Sequence, residues 1–253
     1  AKLNVFFEKM KQYLLKKRVL RAISRFDRIV IMTEAEREDW KHKDKVVSIP
    51  NILVHYPEKV YNVGHPYRRV ISVGRYAYQK GYDLLLEAWR TVEDRHPDWS
   101  LDIYGSLDGG IGEYEQLQRQ IETLGLHTVS LYSATTDIYS SYSESDIYVS
   151  ASRFESFGLV LVEAMACGLP IVGFRSSYGP ASIIKDGLTG VLVPPYDTQQ
   201  LAEAICQMIE RPEERVRMGE NGRLEAKKYL PEQIMPLWYD FYESLGTTHP
   251  IAS

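Results

Sequence analysis

The chain of 253 residues is predicted to fold as an α/β protein with a Rossmann-like, doubly wound parallel sheet. From Val70 onward, short apolar segments alternate with longer segments whose apolar residues recur at helical spacing. The short segments are predominantly apolar, which is typical of strands covered by helices on both faces of a sheet. The composition, with 44% hydrophobic and 25% charged residues, is that of an ordinary globular protein.

Strands and helices are predicted in alternation between residues 70 and 228. The strands are expected at 70–73, 101–104, 129–131, 147–150, 170–173 and 191–193. The helices are expected at about 82–95, 114–124, 137–143, 157–167, 181–185, 198–210 and 212–228. Gly125 and Gly168 are expected to end two of these helices, because glycine readily adopts the left-handed conformation of a helix C-terminus.

The first 52 residues are predicted to form a separate unit with the order helix, strand, helix, strand. Its strands are expected at 28–32 and 46–49, and its second helix begins near Thr33, where Thr33-Glu-Ala-Glu36 fits a capping box. Residues 53–69 contain Pro57, Gly64 and Pro66 and are interpreted as a linker. Because one strand-helix-strand unit cannot close a doubly wound sheet, this part is expected to be incomplete.

The predicted helix at 3–26 is strongly basic. Residues 1–28 hold nine Lys or Arg against two acidic residues, whereas the remainder holds 21 basic against 32 acidic residues. One interpretation is an amphipathic helix lying peripherally on an anionic membrane. The favoured alternative is a helix with one face on a core and a solvated basic face. The acidic remainder argues against a nucleic-acid-binding protein.

Other global features favour a cytoplasmic protein. The sequence has no apolar run as long as a membrane span and no pattern typical of a signal peptide. Cys167 and Cys206 lie in apolar helical segments and are predicted to be buried thiols rather than a disulfide or metal site. The histidines lack ligand spacing, and we predict no protein-bound metal.

The segment from Arg153 to Pro170 follows a predicted strand and continues into a helix. Such a junction directs unpaired backbone N–H groups and the positive end of the helix towards one point, which suits an anion. Glu155 and Glu163 lie eight residues apart in it. Because carboxylates repel phosphate but accept hydrogen bonds from sugar hydroxyls, the combination indicates a phosphorylated sugar. The alternative is that the segment is ordinary core, since its apolar residues have core spacing, and that the glutamates are solvated.

This segment, RFESFGLVLVEAMACGLP, resembles the E-x7-E signature of the retaining family-4 glycosyltransferases of GT-B fold. The resemblance extends through Phe157-Gly-Leu159 and through Glu163 to Pro170. It implies that residues 70–230 form the nucleotide-sugar-binding domain and that residues 231–246 form a helix crossing back to the other domain. Residues 1–52 would be the remnant of the N-terminal acceptor domain, so the chain is expected to be a fragment.

The resemblance also implies roles for individual residues of this segment. Glu155 would contact hydroxyls of the donor sugar, and Glu163 would bind both ribose hydroxyls. The N–H groups of Gly158, Leu159 and their neighbours would meet the distal phosphate. Ser156 and Phe157 belong to the same donor-binding loop, and the Ser156 hydroxyl is expected to cap the following helix.

Further elements of the implied donor site follow other predicted strands. Gly74-Arg75 and Lys80-Gly81 resemble the G-R…K-G element of the family, whose basic residues neutralise the donor diphosphate. With Glu155, Arg75 and Lys80 are the expected catalytic residues. Gly74 allows a sharp turn after the strand. The donor base is expected to contact Gly105, Ser133 and Ala134.

The resemblance implies transfer of a hexosyl or N-acetylhexosaminyl unit from a nucleoside diphosphate sugar to a glycan or lipid-linked acceptor, with retention and without a cofactor. UDP is favoured, because the segment YGPASIIKDG at 178–187 resembles an element of UDP-sugar enzymes, although Ser182 replaces its usual glutamate. One alternative is a catalytically incomplete nucleotide-sugar-binding module. A nicotinamide-dependent enzyme is disfavoured because the G-x-G-x-x-G fingerprint is missing, and a glycan phosphorylase of the same architecture is a more distant alternative.

Overall fold

The computed structural model describes residues 25–58, 67–107, 111–176 and 178–246. The predicted basic helix at 3–26 lies almost entirely outside these residues. The strands are β1 (Ile29–Ile31), β2 (Val46–Ser48), β3 (Arg69–Val73), β4 (Ser100–Gly105), β5 (Val129–Ser133), β6 (Ile147–Ser150), β7 (Ile171–Phe174) and β8 (Gly190–Val193). The helices are α1 (Tyr82–Arg95), α2 (Ile111–Leu124), α3 (Ile138–Ser143), α4 (Leu159–Ala166), α5 (Tyr178–Ile183), α6 (Thr198–Glu210), α7 (Pro212–Ala226) and α8 (Pro231–Gly246).

Six strands form one parallel sheet in the order β5-β4-β3-β6-β7-β8. The strand β3 lies at the centre, where Val70 is paired with Leu101 of β4 on one side and with Ile147 of β6 on the other. The sheet grows outward from β3 in both directions, so the loops that follow β3 and β6 diverge and leave a crevice at their carboxyl ends. The predicted Rossmann-like, doubly wound fold class is confirmed.

The two faces of the sheet bury separate layers of apolar side chains. Alternate residues of a strand point to opposite faces, and Val70 accordingly joins one layer while Ile71 joins the other. The first layer includes Trp89 of α1 and contains Cys206 of α6. The second contains Cys167, which follows α4. Both cysteines are free and buried, as predicted.

Several helix boundaries differ from those predicted. The helix α2 begins at 111 instead of 114, and α5 spans Tyr178–Ile183 instead of 181–185. The helix α7 ends at Ala226 and is followed by a 3₁₀ helix at Lys227–Tyr229, where a longer α-helix was predicted. These shifts fall at helix ends, where the backbone lacks half of its intrahelical hydrogen bonds and local contacts decide the conformation.

The N-terminal unit contains a small parallel sheet in which Ile29 of β1 pairs with Val46 of β2. The helix predicted near Thr33 is a 3₁₀ helix at Glu34–Asp39. The capping-box prediction is wrong, because the Thr33 hydroxyl donates to the Glu36 carboxylate at 3.2 Å and caps no backbone N–H group. These two side chains satisfy each other, and the Glu36 N–H donates instead to the Thr33 carbonyl at 3.1 Å.

The first residues of the predicted linker pack on the large domain. Leu53 is fully buried, and its N–H donates to the Tyr229 carbonyl at 2.7 Å. The Tyr56 hydroxyl donates to the Arg223 carbonyl at 3.1 Å, while the Arg223 guanidinium donates to the Pro57 carbonyl at 2.6 Å. At its other end, Arg69 already belongs to β3.

The last helix, α8, has apolar residues at helical spacing that are only partly covered. Ile234 is buried, while Trp238, Phe241 and Leu245 are half-buried. Leu237 is 40% exposed. Within the described ranges, no helix combines the length and apolar character needed to cross a membrane.

Candidate functional site

A cavity of about 220 Å³ opens at the carboxyl ends of β3, β4 and β5. It is lined by Val73, Gly74, Arg75, Tyr104, Gly105, Ser106, Ala134, Thr135 and Ile138. The cavity therefore lies at the edge of the sheet where ligands of doubly wound proteins bind. Four residues predicted to bind the donor line it together: Gly74, Arg75, Gly105 and Ala134.

One wall of the cavity is bare backbone, because two segments approach too closely to admit side chains. A Cβ atom on Gly105 would lie 2.4 Å from the Gly74 carbonyl oxygen and 3.0 Å from the Tyr76 ring. The Gly74 N–H donates to the Tyr104 carbonyl at 2.9 Å and holds the two segments together. Glycine at position 105 is thus needed for packing as well as for access to the cavity.

The side chain of Arg75 is exposed at this cavity and makes no hydrogen bond or ion pair with any residue that the structure describes. Its neighbour Tyr76 is fully buried, with its hydroxyl 2.9 Å from the Ile103 carbonyl and 2.7 Å from the Tyr132 carbonyl. Burial raises the pKa of Tyr76, so the hydroxyl stays protonated. The buried ring therefore anchors a loop whose guanidinium is available to an anion.

Lys80 and Glu155 form an ion pair between the loops that follow β3 and β6. Only 13% of the Lys80 side chain and 11% of the Glu155 side chain are exposed. The Ser152 hydroxyl donates to Oε1 of Glu155 at 3.0 Å. A buried carboxylate requires such partners, since an unpaired charge in a poorly hydrated site is costly. The structure therefore joins two residues that the sequence resemblance assigned to different parts of the donor.

The loop after Glu155 ends in a left-handed turn at Gly158, with φ 88° and ψ 63°. The helix α4 begins one residue later at Leu159, not at 157. The prediction that Ser156 caps this helix is wrong, because Gly158 occupies the N-cap position and no side chain caps the helix. The first N–H groups of the helix, at Leu159 and Val160, have no intrahelical acceptor and can bind an anion.

The conformation of this loop is supported from below by two contacts. Phe157 is buried and its ring lies 5.4 Å from the ring of Tyr229 in an edge-on arrangement. The Gly179 N–H donates to the Glu155 carbonyl at 3.0 Å, and a Cβ atom at Gly179 would lie 2.2 Å from the Phe157 carbonyl oxygen. The Tyr-Gly-Pro element at 178–180 therefore needs its glycine to pack against the loop.

Glu163 is the fifth residue of α4 and is half-buried. Burial raises the pKa of this carboxyl group, and a hydrogen bond from the Tyr142 hydroxyl at 3.4 Å partly opposes the shift. Tyr142 belongs to α3, which follows β5 and therefore starts beside the cavity. A carboxylate held in this way can accept hydrogen bonds from hydroxyl groups of a ligand.

The residues predicted to contact a base are only partly brought to the cavity. Ala134 lines it, whereas Ser133 ends β5, pairs in register with Gly105 and lies outside the lining. Sequence reasoning missed Tyr104, Thr135, Ile138 and Tyr142. Tyr104, whose ring stacks on Tyr132 with centroids 4.7 Å apart, ends a predicted strand, and that position was the available signal.

The charged side chains at the site do not form a metal-binding cluster. In the described part of the chain, no three His, Cys, Asp or Glu side chains are grouped so that they could hold a metal ion. Arg75 lines the cavity, and a Cβ atom on Gly74 would lie 2.6 Å from the Lys80 side chain. These cations and the start of α4 could bind phosphate groups.

Comparison with known proteins identifies glycosyltransferases as relatives of this chain. The sequence profile of the family described as "Glycosyl transferases group 1" matches residues 58–225. A Haemophilus influenzae protein described as an uncharacterized glycosyltransferase is 32% identical over 222 residues, which are 86% of this chain and 61% of that protein. A D-inositol 3-phosphate glycosyltransferase of Corynebacterium jeikeium is 34% identical over 191 residues, 72% of this chain and 45% of that enzyme.

Two solved structures extend the comparison. A mutant of S. aureus TarM in complex with fondaparinux, alpha-GlcNAc-glycerol and UDP has a TM-score of 0.78 and 25% identity, over 89% of this chain and 45% of that one. The pneumococcal O-GlcNAc transferase GtfA in complex with UDP and GlcNAc has a TM-score of 0.75 and 26% identity, over 89% and 46% of the two chains. The chain thus spans less than two thirds of the length of each of these relatives.

Proposed function

The chain belongs to the glycosyl transferases group 1 family, and we propose that the protein transfers a sugar from a nucleoside diphosphate sugar to an acceptor hydroxyl. The observation that carries this proposal is the site at the carboxyl edge of the sheet. There, Arg75 lines a cavity walled in part by the bare backbone of Gly74 and Gly105, and the Lys80 side chain lies against Gly74. Lys80 in turn pairs with Glu155, four residues before the start of α4. This arrangement combines positive charge for a diphosphate with a carboxylate for sugar hydroxyls.

The diphosphate would be held by Arg75, Lys80 and the backbone N–H groups at the start of α4. A guanidinium binds phosphate oxygens through two parallel hydrogen bonds. The Lys80 ammonium has three donor hydrogens, so it can keep Glu155 with one and offer the others to phosphate. Each charge-assisted hydrogen bond contributes about 1.5–3 kcal/mol. We propose that these groups take the place of a metal ion in neutralising the leaving group.

In the proposed reaction, the bond between the anomeric carbon and the diphosphate oxygen breaks, and its electron pair leaves with the nucleoside diphosphate. The acceptor oxygen forms the new bond to the anomeric carbon and gives its proton to the departing phosphate. Arg75 and Lys80 stabilise the negative charge that develops on this phosphate. Glu155 holds the donor sugar through its hydroxyls. Attack from the same face as departure would retain the configuration at the anomeric carbon. Retention is the outcome that the proposed family-4 assignment implies.

We propose a UDP-sugar as the donor. The solved structures of TarM and GtfA contain UDP, and their folds are similar to that of this chain. Glu163, half-buried beside Tyr142, would accept hydrogen bonds from the two ribose hydroxyls. The backbone at Gly105 and Ala134, together with Tyr104 of β4, would accommodate the base. The transferred unit would be a hexose or an N-acetylhexosamine.

The proposed acceptor is a glycan or a lipid-linked glycan. Relatives are described with different acceptors, among them a peptide for the GtfA subunit of Streptococcus gordonii and poly(glycerol-phosphate) for an enzyme of Bacillus subtilis. A nucleotide-sugar-binding module without turnover is a second candidate for the chain taken alone, because it spans only 61% of the Haemophilus influenzae relative.

Calorimetric titration of the 253-residue chain with UDP, GDP and NAD tests the donor site. We expect saturable UDP binding that is weakened by Arg75→Ala and by Glu163→Gln, and no binding of NAD. Preferential binding of GDP would transfer the proposal to GDP-sugars. Absence of UDP and GDP binding by folded chain would contradict the donor assignment, and NAD binding would favour a nicotinamide-dependent enzyme. Release of UDP from UDP-sugars then separates an enzyme from a binding module.

A further inference from the structure

We propose that Arg153 and Asp83 form a positioning clamp that fixes the geometry of the Lys80–Glu155 ion pair for catalysis. This inference rests on the proposed function, because it assigns a task to residues around the same site. Neither Arg153 nor Asp83 lines the donor cavity. Arg153 lies two residues before Glu155 and Asp83 three residues after Lys80, so their proposed effect reaches the substrate through Lys80 and Glu155.

The clamp is a bidentate ion pair between the loop after β6 and the first turn of α1. Nη1 of Arg153 donates to Oδ1 of Asp83 at 2.8 Å, and Nη2 donates to Oδ2 at 2.7 Å. Only 15% of the Arg153 side chain is exposed. Two parallel hydrogen bonds fix both distance and orientation, which a single contact cannot do. Partial burial favours protonated Asp83, but the hydrogen bonds and charge of Arg153 outweigh it and lower the pKa of Asp83.

Arg153 also holds the loop that contains Lys80. Its Nη1 donates to the Tyr78 carbonyl at 2.8 Å, and its backbone N–H donates to the Gln79 carbonyl at 2.8 Å. The guanidinium carbon lies 3.8 Å from the centroid of the Tyr78 ring. The residues immediately before Lys80 are therefore bound to Arg153 through backbone and side chain.

The reverse connection joins the Lys80 loop to the residue that precedes Glu155. Nε2 of Gln79 donates to the Phe154 carbonyl at 2.7 Å. The two loops also meet at Gly81, where a Cβ atom would lie 2.0 Å from the Ala151 carbonyl oxygen. Residues 78–81 and 151–155 thus form one connected unit. Its Lys80 side chain lies against Gly74, which lines the donor cavity, whereas the Asp83 partner of Arg153 is 41% exposed.

A clamp of this kind has a distinct kinetic signature. Lys80 and Glu155 would still be present after its removal but would no longer be held at the correct separation. A displacement of about 1 Å at reacting groups can lower turnover about 100-fold. Among the groups proposed to hold UDP, only Lys80 is carried by the clamped loops, so binding of UDP would change less than turnover. We therefore expect a loss in kcat without a comparable loss in UDP affinity.

The test uses the protein at its full natural length and the variants Asp83→Asn, Arg153→Lys and Arg153→Ala. The kinetic readout is release of UDP from UDP-glucose or UDP-N-acetylglucosamine, and the binding readout is the Kd for UDP. We expect kcat to fall about 10- to 100-fold while Kd stays within about threefold. Arg153→Lys should be intermediate because lysine keeps the charge but cannot bind bidentately. Asp83→Asn preserves the size of the side chain and keeps the test valid if Arg153→Ala does not fold.

A matched control separates positioning from general stability. Arg95 lies at the other end of α1 and pairs with Glu203 at 2.7 Å and with Glu210 at 2.9 Å. Arg95→Ala should lower thermal stability and leave kcat unchanged. An equal fall in kcat for Arg95→Ala and Arg153→Ala would overturn the clamp.

A combination of variants tests whether Arg153 acts through the ion pair. In a Lys80→Ala background, adding Arg153→Ala should lower kcat by less than about twofold further, because coupled residues do not have additive effects. Multiplicative losses would overturn the clamp, as would unchanged kcat in folded Arg153 variants of an active protein. Wild-type protein that neither binds UDP nor releases it from either donor would refute the proposed UDP-sugar transfer, and the role of the clamp in it.

Discussion

The ammonium group of Lys80 pairs with Oε1 of Glu155, although the two residues are 75 positions apart in the sequence. Each follows the end of a central strand, β3 or β6, and the parallel pairing of these strands brings their carboxyl ends together. The pair thus connects the loops that follow β3 and β6, at the topological switch point of the sheet. Because the pair is buried and both residues have proposed catalytic roles, its loss should affect both stability and activity.

Replacement of Lys80 by methionine should lower both stability and activity. Glu155 would remain buried with Ser152 as a side-chain donor, and breaking a buried ion pair costs about 3–5 kcal/mol. We expect the free energy of unfolding, measured with urea, to fall by about this amount. Release of UDP from a donor sugar should fall about 100-fold.

Two further variants check this explanation. Adding Glu155→Gln to Lys80→Met should recover part of the lost stability, because the buried charge is removed. A double variant less stable than the single one would show that the ion pair does not account for the loss. Lys43→Met serves as the control, since Lys43 pairs with Glu38 on the surface and should lose less than about 1 kcal/mol.

Replacement of Glu163 by glutamine should weaken UDP binding and stabilise the fold at neutral pH. Burial raises the pKa of Glu163 in the folded state. The native protein therefore retains this proton to a higher pH than the unfolded chain does, so the stability of the wild type declines as the pH rises through the raised pKa. Glutamine does not titrate and avoids this loss.

Urea unfolding at about pH 4 and about pH 7.5 tests the sign of this effect. The two values span the ordinary carboxyl pKa of about 4.3. The stability of Glu163→Gln relative to wild type should be higher at the upper pH than at the lower one. The control is Glu232→Gln at an exposed position of α8. A constant difference across the pH range would contradict the assigned effect of burial.

Replacement of Arg75 by alanine should reduce UDP affinity without destabilising the protein. Arg75 is exposed and unpaired within the described ranges, so its removal breaks no contact there. We expect Kd to rise about 10- to 100-fold, as for the loss of one charge-assisted interaction. Thermal unfolding should be unchanged, corresponding to less than about 0.5 kcal/mol.

The salt dependence of UDP binding provides a second test of the proposed contact between Arg75 and the diphosphate. Wild-type affinity should fall as ionic strength rises, because salt screens the attraction between the guanidinium and the diphosphate. The dependence should be weaker in Arg75→Ala. Arg119→Ala, at an exposed position of α2, should keep the wild-type dependence. Equal salt dependence in the Arg75 and Arg119 variants would refute a phosphate contact by Arg75.

Replacement of Gly179 by alanine should displace the loop that carries Glu155. The added Cβ atom would lie 2.2 Å from the Phe157 carbonyl oxygen and 2.9 Å from that of Glu155. We expect a loss of about 1–3 kcal/mol in the free energy of unfolding together with weaker UDP binding. Gly112→Ala is the control, since the Cβ atom that it adds would meet no atom within 4 Å and alanine favours the helix α2. Unchanged stability of Gly179→Ala would contradict the close contact.

The strands were the most predictable part of the fold. The strands β6 and β7 are buried at every residue and β3, β4 and β8 at most residues, so their sequences are largely apolar and bounded by turn residues. Prediction failed where a local motif had competing partners. Thr33 and Ser156 both resemble N-cap residues. Thr33 instead bonds to the Glu36 carboxylate, and Gly158 rather than Ser156 occupies the N-cap position of α4. Local sequence cannot show which of several acceptors or conformations the packed chain selects.

The candidate site was predictable only as separate motifs. Arg75, Lys80, Glu155 and Glu163 were named because each belongs to a short, recognisable motif that follows a strand. The roles of Tyr76, Gln79 and Arg153 could not be predicted, since their partners lie in segments distant in the sequence. The sequence alone does not distinguish a buried tyrosine that anchors a loop from a tyrosine on the surface.

The sequence by itself determined the alternation of strands and helices, the family and the residues that carry charge at the site. These properties follow from periodicity and from motifs a few residues long, which are local. Only the tertiary structure decided that Lys80 pairs with Glu155 and that Arg153 binds Asp83. It also decided that Gly179 packs against the loop that carries Glu155. Such contacts depend on the order in which parallel strands pair, and that order is fixed by the packing of the whole sheet.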